Sequence, residues 1–130
     1  MSERIKVAVV GSRTFNNFDL FLTKMQEIFI VADIEMIISG GARGADKMAE
    51  RFAELFDIPI QVFRPDWGKH GKAAGFIRNK DIVENADVVI AFWDGSSHGT
   101  KHSMELAQKM NKWLYIVSLS GERVYVHSPL

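Results

Sequence analysis

Five apolar runs, the first four of which are followed by a segment with helical periodicity, constrain the fold of this chain more than any other feature of its sequence. The runs occupy residues 5–10, 35–39, 60–63, 87–92 and 114–117. They are largely continuous rather than alternating between apolar and polar residues, so both faces of each strand are expected to be buried, as in a parallel sheet. Parallel strands need long crossover connections, and the helical segments supply them.

The helical segments alternate with the strands along the chain. Helices are predicted at residues 18–29, 45–56, about 72–85 and about 100–111. Asn16 and Asn17 offer an N-cap for the first helix, whose phenylalanines could cover the sheet or form an interface between copies of the chain. A long loop is predicted at residues 67–71 and a short edge strand at residues 123–126. The expected fold is α/β: a Rossmann-like three-layer α/β/α sandwich with a mainly parallel five-stranded sheet and an extra C-terminal edge strand.

Length, charge and cysteine content exclude several classes of protein. A chain of 130 residues has room for one domain, expected to span residues 1–130. Its 16 basic and 16 acidic residues cancel, which argues against binding nucleic acid through bulk positive charge. The absence of cysteine excludes thiol catalysis and cysteine-ligated metals. No run approaches the roughly 18 apolar residues of a membrane span. Because Met1 to Arg4 lead into the first strand without a signal-peptide core, we expect a cytoplasmic protein.

Three glycine-rich loops follow strands of the predicted sheet, and each also carries hydroxyl or basic side chains. Ligands of open α/β sheets bind beyond the carboxyl ends of the strands, and glycine lets backbone N–H groups approach an anion. One such loop alone is equally typical of a tight turn, but three on one rim favour a ligand that carries phosphate. The residues expected to contact it are Gly11, Ser12, Arg13, Gly40, Gly41, Arg43, Gly44, Asp94, Gly95, Ser96, Ser97, Gly99 and Thr100.

Standard cofactor patterns are missing. Residues 40–44 read GGARG rather than the dinucleotide pattern GxGxxG, and no P-loop sequence is present, which disfavours hydride transfer and P-loop NTPase chemistry. His98 and His102 are four residues apart but lack a third ligand, so neither a metal nor another cofactor is expected. His102 and Glu105 fall on the polar side of the last helix, where we expect a solvated surface.

Three further residues are candidates for the same site. Arg78 falls inside the apolar arc of its helix, so it either pairs with an internal acid, Asp46 or Asp94, or clamps phosphate or ribose. Asp46 lies in the first turn of its helix and is either a carboxylate that interacts with the helix dipole or an acceptor for ribose hydroxyls. Trp67 could stack on a base or pack on the rim of the site.

Three strings in the sequence resemble a known family. VGSRTF, ISGGARGADKMAE and AGFIRNKDIVENADVVIAFWDGSSHGT are similar to the YspA/YpsA-related branch of the SLOG superfamily, which is named for DNA-processing protein A (Smf) and the Lonely Guy proteins. The resemblance extends from about residue 7 to about residue 107. It implies a Rossmann-like domain that binds nucleotides or nucleotide-derived ligands in the cleft described above. It also adds Asn79, beside Arg78, to the expected ligand contacts.

The resemblance also indicates where catalysis would occur. Lonely Guy enzymes are phosphoribohydrolases that cleave the N-glycosidic bond of a nucleoside 5′-monophosphate. Their pattern pairs Arg-Lys on the third helix with PGGxGTxxE after the fourth strand. Here Arg78-Asn79 matches the first element, residues 94–100 are similar to the second, and Ser103 stands at the position of the catalytic glutamate. Because such cleavage normally uses a carboxylate, Asp46 and Asp94 join Arg78 as catalytic candidates.

Three functions follow from these observations. The first is a sensor or sequestering module that binds a nucleotide or an ADP-ribose-like small molecule. The alternatives are a Lonely Guy-like N-glycosidase, which leaves open whether the protein is an enzyme, and single-stranded DNA binding like that of DNA-processing protein A. No membrane partner is expected, and a homo-oligomer is expected because Lonely Guy and related proteins are dimers or larger. The basic residues that could form a DNA track are Arg43, Arg64, Lys69, Lys72 and Lys80.

Overall fold

Six strands form one sheet in the computed structural model, which describes residues 4–129. The start of the stretch examined for a signal peptide, residues 1–3, lies outside the described residues, as does residue 130. The strands are β1 (Ile5–Gly11), β2 (Ile34–Ser39), β3 (Ile60–Val62), β4 (Val88–Trp93), β5 (Trp113–Ser118) and β6 (Val124–His127). The helices are α1 (Phe18–Ile28), α2 (Ala45–Leu55), α3 (Trp67–His70), α4 (Ala74–Asn85) and α5 (His98–Lys109).

The order of the strands is β3-β2-β1-β4-β5-β6. The first five strands of the chain are parallel to their neighbours, and β6 pairs antiparallel with β5 at one edge. This confirms the predicted α/β sandwich and its extra C-terminal edge strand. The chain moves outward from β1 to β3 in one direction, then returns to place β4 on the other side of β1. Ligands of such sheets bind at this switch point, beyond the carboxyl ends of β1 and β4.

The sheet is covered on both faces because successive residues of its central strands point to opposite sides. On β1, Val7 and Val9 pack into the hydrophobic cluster that includes Phe21 of α1 and Phe52 of α2. The intervening residues, Ala8 and Val10, belong to a second cluster on the other face, with side chains from α4 and α5. The apolar runs of the sequence are therefore strands buried between two helical layers, as predicted.

The helices follow the predicted pattern with two differences. Asn17 caps α1 by accepting a hydrogen bond from the Leu20 N–H, 3.0 Å away, and the apolar face of this helix covers the sheet. The predicted loop at 67–71 is wrong in part, because Asp66 caps a short helix there through the Lys69 N–H. The last helix begins at His98, two residues earlier than expected. Over residues 4–129, no helix has both the length and the apolarity needed to cross a membrane.

Candidate functional site

A cavity of about 360 Å³ opens at the switch point between β1 and β4. Its size lies within the range of about 300–1,000 Å³ that is typical of small-molecule sites. Two arginines, two carboxylates and the N-terminus of α5 line it together with apolar residues from the sheet and α4. The lining residues are Val10, Gly11, Arg13, Thr14, Ala42, Asp46, Arg78, Asn79, Ile82, Asp94, Ser97, Gly99, Thr100 and Ser103.

The loop after β1 is tied to the loop after β4. The Ser12 N–H donates to the Phe92 carbonyl at 2.9 Å, and the Ser12 hydroxyl accepts from the Asp94 N–H at 3.2 Å. Ser12 is buried and does not line the cavity, so its hydroxyl links two loops instead of facing a ligand. The prediction that Ser12 presents its hydroxyl to phosphate is therefore not supported, although its neighbour Arg13 does line the cavity.

The loop after β2 approaches α4 so closely that it requires glycine at its start. A Cβ atom on Gly40 would lie 2.6 Å from Nη1 of Arg78 and 3.0 Å from Oδ2 of Asp46. Arg78 uses that same nitrogen to donate to the Gly40 carbonyl at 2.8 Å. The loop therefore brings a carboxylate and a guanidinium to one wall of the cavity. Gly44, with φ +75°, plays a different role, because it caps α2 and packs against the backbone of Ser12 and Arg13.

Asp46 is an almost fully buried carboxylate in the first turn of α2, with 7% of its surface exposed. Its Oδ2 accepts a hydrogen bond from the Ala42 N–H at 3.0 Å. Burial raises the pKa of Asp46 to about 6, although the Ala42 hydrogen bond and the charge of Arg78 oppose the rise. Asp46 also lines the cavity. With this pKa, its carboxyl group releases its proton, and becomes a charged hydrogen-bond acceptor, close to neutral pH.

Arg78 is half-buried, as its place in the apolar arc of α4 suggested. Its Nε donates to Oδ1 of Asn79 at 3.0 Å. None of the ion pairs found among residues 4–129 involves Arg78, so of the two roles considered for it, the close ion pair with Asp46 or Asp94 is not formed. Burial lowers the pKa of Arg78, Asp46 raises it, and the nearby charge of Arg13 lowers it further. Two guanidiniums therefore lie near each other at the cavity with only one buried carboxylate to balance them.

The loop after β4 forms a tight turn built on Asp94. Its Oδ1 accepts hydrogen bonds from the N–H groups of Ser96 and Ser97, at 2.9 Å and 2.8 Å. These bonds lower the pKa of Asp94. Gly95 and Ser96 are exposed at the tip of this turn and do not line the cavity, contrary to expectation.

The beginning of α5 faces the cavity. Ser97, Gly99 and Thr100 all line it, and the Ser97 and Thr100 hydroxyl oxygens lie 3.3 Å apart. Because the first backbone N–H groups of a helix carry partial positive charge, this end of α5 adds to the positive potential of the two arginines. The arrangement suits an anionic group bound between α5 and the two arginines.

Asn79 of α4 and His102 of α5 connect these two helices. Asn79 Nδ2 lies 3.2 Å from Nδ1 of His102, whose ring packs edge-on against Phe76 with centroids 4.7 Å apart. His102 is half-buried, so the prediction of a solvated His102 is wrong: its ring packs between the two helices. No group of three metal-ligating side chains occurs over residues 4–129.

A second cavity, of about 430 Å³, adjoins the first and shares Arg13, Ala42 and Arg78 with it. Gly40, Gly41 and Trp67 line it, and Trp67 has 58% of its surface exposed. Several expected contact residues therefore lie in this cavity and not in the first. The complete lining is Arg13, Gly40, Gly41, Ala42, Arg43, Arg64, Pro65, Trp67 and Arg78.

Three lining residues with polar side chains, Thr14, Arg64 and Ser103, were not among the ligand contacts expected from the sequence. Arg64 follows β3 at the same edge of the sheet as the glycine-rich loops, and that position is the signal that would have included it. Ser103 is buried and lines the first cavity, so a hydroxyl occupies the position at which the Lonely Guy pattern has glutamate. Among the basic residues considered for a DNA track, Arg43 and Arg64 line the second cavity, whereas Lys80 pairs with Glu84 at 3.8 Å.

Comparisons with known proteins agree with this architecture. A family model described as the YspA, cpYpsA-related SLOG family matches residues 5–70. The Gene 61 protein of Mycobacterium phage D29 is 46% identical over 80 residues, and the match covers 57% of this chain and 64% of that protein. The chain therefore spans less than two thirds of the length of this relative.

Two solved structures of DNA processing protein A are similar in fold. The protein from Helicobacter pylori, whose single-stranded DNA binding mode has been described, superposes with a TM-score of 0.67 at 23% identity, covering 88% of this chain and 66% of that one. The protein from Streptococcus pneumoniae superposes with a TM-score of 0.71 at 18% identity, covering 88% of this chain and 50% of that one. At these identities the likeness establishes the Rossmann-like fold.

Proposed function

The chain belongs to the YspA, cpYpsA-related SLOG family, and from that premise we propose that it binds a nucleotide or nucleotide-derived small molecule in the cavity between β1 and β4. The family and the fold together support binding of a nucleotide or a nucleic acid, and neither of them identifies a particular ligand. The choice of a small molecule rests on the cavity, which is concave, of ligand size and placed at the switch point of the sheet.

One observation carries this proposal: Arg13, Arg78 and the N-terminus of α5 surround the same cavity. Each of these groups favours an anion, and among the described lining residues only Asp46 and Asp94 bring negative charge. Arginine can contact phosphate oxygens with two parallel N–H groups, which orients the anion as well as attracting it. A phosphate of the ligand is therefore placed between these groups.

Asp46 supplies the acceptor that a nucleotide needs beside its phosphate. Its carboxylate lines the cavity, and one of its oxygens is already oriented by the Ala42 N–H. Ribose hydroxyls donate hydrogen bonds, so a carboxylate next to two guanidiniums can hold a sugar while the guanidiniums hold its phosphate. In this role Asp46 distinguishes a nucleotide from inorganic phosphate.

Isothermal titration of the folded protein with a panel of nucleoside monophosphates and diphosphate-linked nucleotides tests this function. Arg13→Ala is expected to weaken binding at least about tenfold, because it removes a charged contact from an exposed side chain without opening the core. Arg4→Ala is the matched control, since Arg4 is also exposed and donates to a backbone carbonyl, that of Ile34, but precedes β1 at the opposite edge of the sheet. Absence of heat with every member of the panel refutes the proposal.

A second function, cleavage of the N-glycosidic bond of a nucleotide, is favoured by the Asp46 carboxylate. It lines the same cavity as Arg78, and its pKa of about 6 lies in the range used by general acids and bases. In this reaction water attacks the anomeric carbon, the bond to the base breaks, and the base leaves with a proton. Asp46 would activate the water or stabilise the positive charge that develops on the sugar.

Chromatographic detection of free base after incubation with nucleoside monophosphates tests the second function. Wild-type protein would release base, and Asp46→Asn, which keeps the size and the hydrogen-bond acceptor of the side chain, would reduce the rate at least about a hundredfold. Absence of base release by the wild type eliminates hydrolysis and leaves the binding function unaffected, whereas measurable and equal rates for both proteins eliminate the role of Asp46.

A further inference from the structure

The second cavity continues the first across a shared boundary. Arg13 and Arg78 line both cavities, so the charge of these two guanidiniums lies where the cavities meet. A mononucleotide has its phosphate at its terminus and would fill only one side of that boundary. A ligand with a charged centre and a group on each side would fill both.

The second cavity is more positive than the first. Arg43 and Arg64 line it together with the shared arginines, and its described lining contains no carboxylate. None of the ion pairs found over residues 4–129 involves Arg43 or Arg64. The Arg64 guanidinium lies close to Gly41, since a Cβ on Gly41, whose φ is +73°, would be 2.7 Å from its Nη1. Four guanidiniums around one cavity favour a ligand that carries more than one negatively charged phosphate group.

Trp67 provides a surface for an aromatic group at the side of the second cavity. The residue is 58% exposed, although its backbone belongs to α3 and its ring reaches α4 near Gly75. Bases stack on exposed indoles regardless of base identity, because every base presents a π face. An aromatic group next to several guanidiniums is the arrangement expected for a base attached to phosphates.

We propose that the ligand is a diphosphate-linked nucleotide that spans both cavities. Its diphosphate lies at the boundary against Arg13 and Arg78, with Arg64 nearby, and its base stacks on Trp67 in the second cavity. The group on the other side of the diphosphate, a sugar or a second nucleoside, occupies the first cavity beside Asp46. This assignment rests on the proposed function, and it names the class of ligand that the site takes.

Paired titrations test the proposal. Each diphosphate-linked probe (ADP-ribose, UDP-glucose and NAD⁺) is compared with a corresponding monophosphate (AMP, UMP and nicotinamide mononucleotide). At least one diphosphate-linked probe is expected to bind more tightly than its monophosphate by about tenfold or more, since it gains a stacked base or a second phosphate contact. Trp67→Ala and Arg64→Ala are expected to remove that gain and to leave monophosphate affinity within about twofold.

Two variants make the result specific to the second cavity. Trp113→Ala removes another exposed indole, 43% exposed at the beginning of β5 and therefore at the opposite edge of the sheet, and is expected to change nothing. Trp67→Phe keeps an aromatic face and is expected to restore most of the affinity lost in Trp67→Ala. Because Trp67 and Arg64 are exposed, both alanine variants are expected to fold, which circular dichroism verifies.

The other outcomes separate this proposal from the function on which it rests. If monophosphates bind and Trp67→Ala and Arg64→Ala have no effect on any probe, the second cavity is not a subsite, and only the present inference fails. If no probe binds, the proposed function fails as well. If Trp67→Ala weakens binding of a short oligothymidylate but not of the diphosphate-linked probes, the second cavity serves single-stranded nucleic acid, and the proposal is overturned.

Discussion

Replacing Asp46 with Asn tests whether this buried carboxylate makes the stability of the fold depend on pH. The carboxylate is 7% exposed, and burial raises its pKa from the ordinary 3.8 to about 6. Between these two values the folded state holds a proton that the unfolded state has released. Folding is then favoured at low pH, and stability from this group is lost as the pH rises through about 6. Asn cannot titrate, so the variant lacks this dependence.

The size of the effect follows from the two pKa values. Each pKa unit is worth about 1.4 kcal/mol, so the difference between 3.8 and about 6 corresponds to about 3 kcal/mol. The free energy of unfolding of the wild type, measured relative to Asp46→Asn, should therefore fall by up to about 3 kcal/mol between pH 4 and pH 7. The steepest part of the fall should approach about 1.4 kcal/mol per pH unit.

Urea denaturation of both proteins at half-unit steps from pH 4 to pH 7.5, followed by circular dichroism, measures this difference. Subtracting the two curves cancels the contributions of carboxylates and histidines that the proteins share. A difference that stays constant over this range, or that rises with pH, would refute the inference that Asp46 is buried with its charge poorly compensated. Such a result would place the carboxylate in contact with water or with a closely paired cation.

Two other substitutions probe the loops that form the cavity. Gly11→Ala would place a Cβ 2.6 Å from the Phe92 carbonyl oxygen, so we expect a loss of about 2 kcal/mol or more in urea denaturation; an unchanged midpoint would contradict this close approach. Asp94→Asn removes a carboxylate whose pKa is lowered by the N–H groups of Ser96 and Ser97. The wild type should therefore be more stable than the variant above the ordinary pKa of 3.8, and it should lose this advantage as the pH falls below that value. Thermal melts of both proteins from pH 2.5 to pH 6 measure this advantage, and one that grows on acidification would contradict it.

The fold could be predicted because its signals are local. Continuous apolar runs such as residues 87–92 and helical periodicity such as that of residues 45–56 are recorded in neighbouring positions, and only a doubly covered parallel sheet buries all of them. The short helix at Trp67–His70 was missed because a single turn capped by Asp66 is too short to show a period.

The rim of the site was also predictable, because parallel strands end at one edge of a sheet. Asp46, Arg78 and Thr100 could therefore be assigned to one region before their positions were known, and all three line the same cavity. The sequence determined which loops approach each other, because strand direction and connection handedness leave few arrangements.

Only the tertiary structure decided what each side chain does at that rim. Ser12 turned inward to link two loops, Arg78 bonded to the Gly40 carbonyl instead of forming an ion pair, and Arg64 joined the arginines around a second cavity. These outcomes depend on distances between segments that are far apart in the chain, such as the 38 positions separating Arg78 from Gly40. Local periodicity carries no information about such distances, because they are set by how the helices pack on the finished sheet.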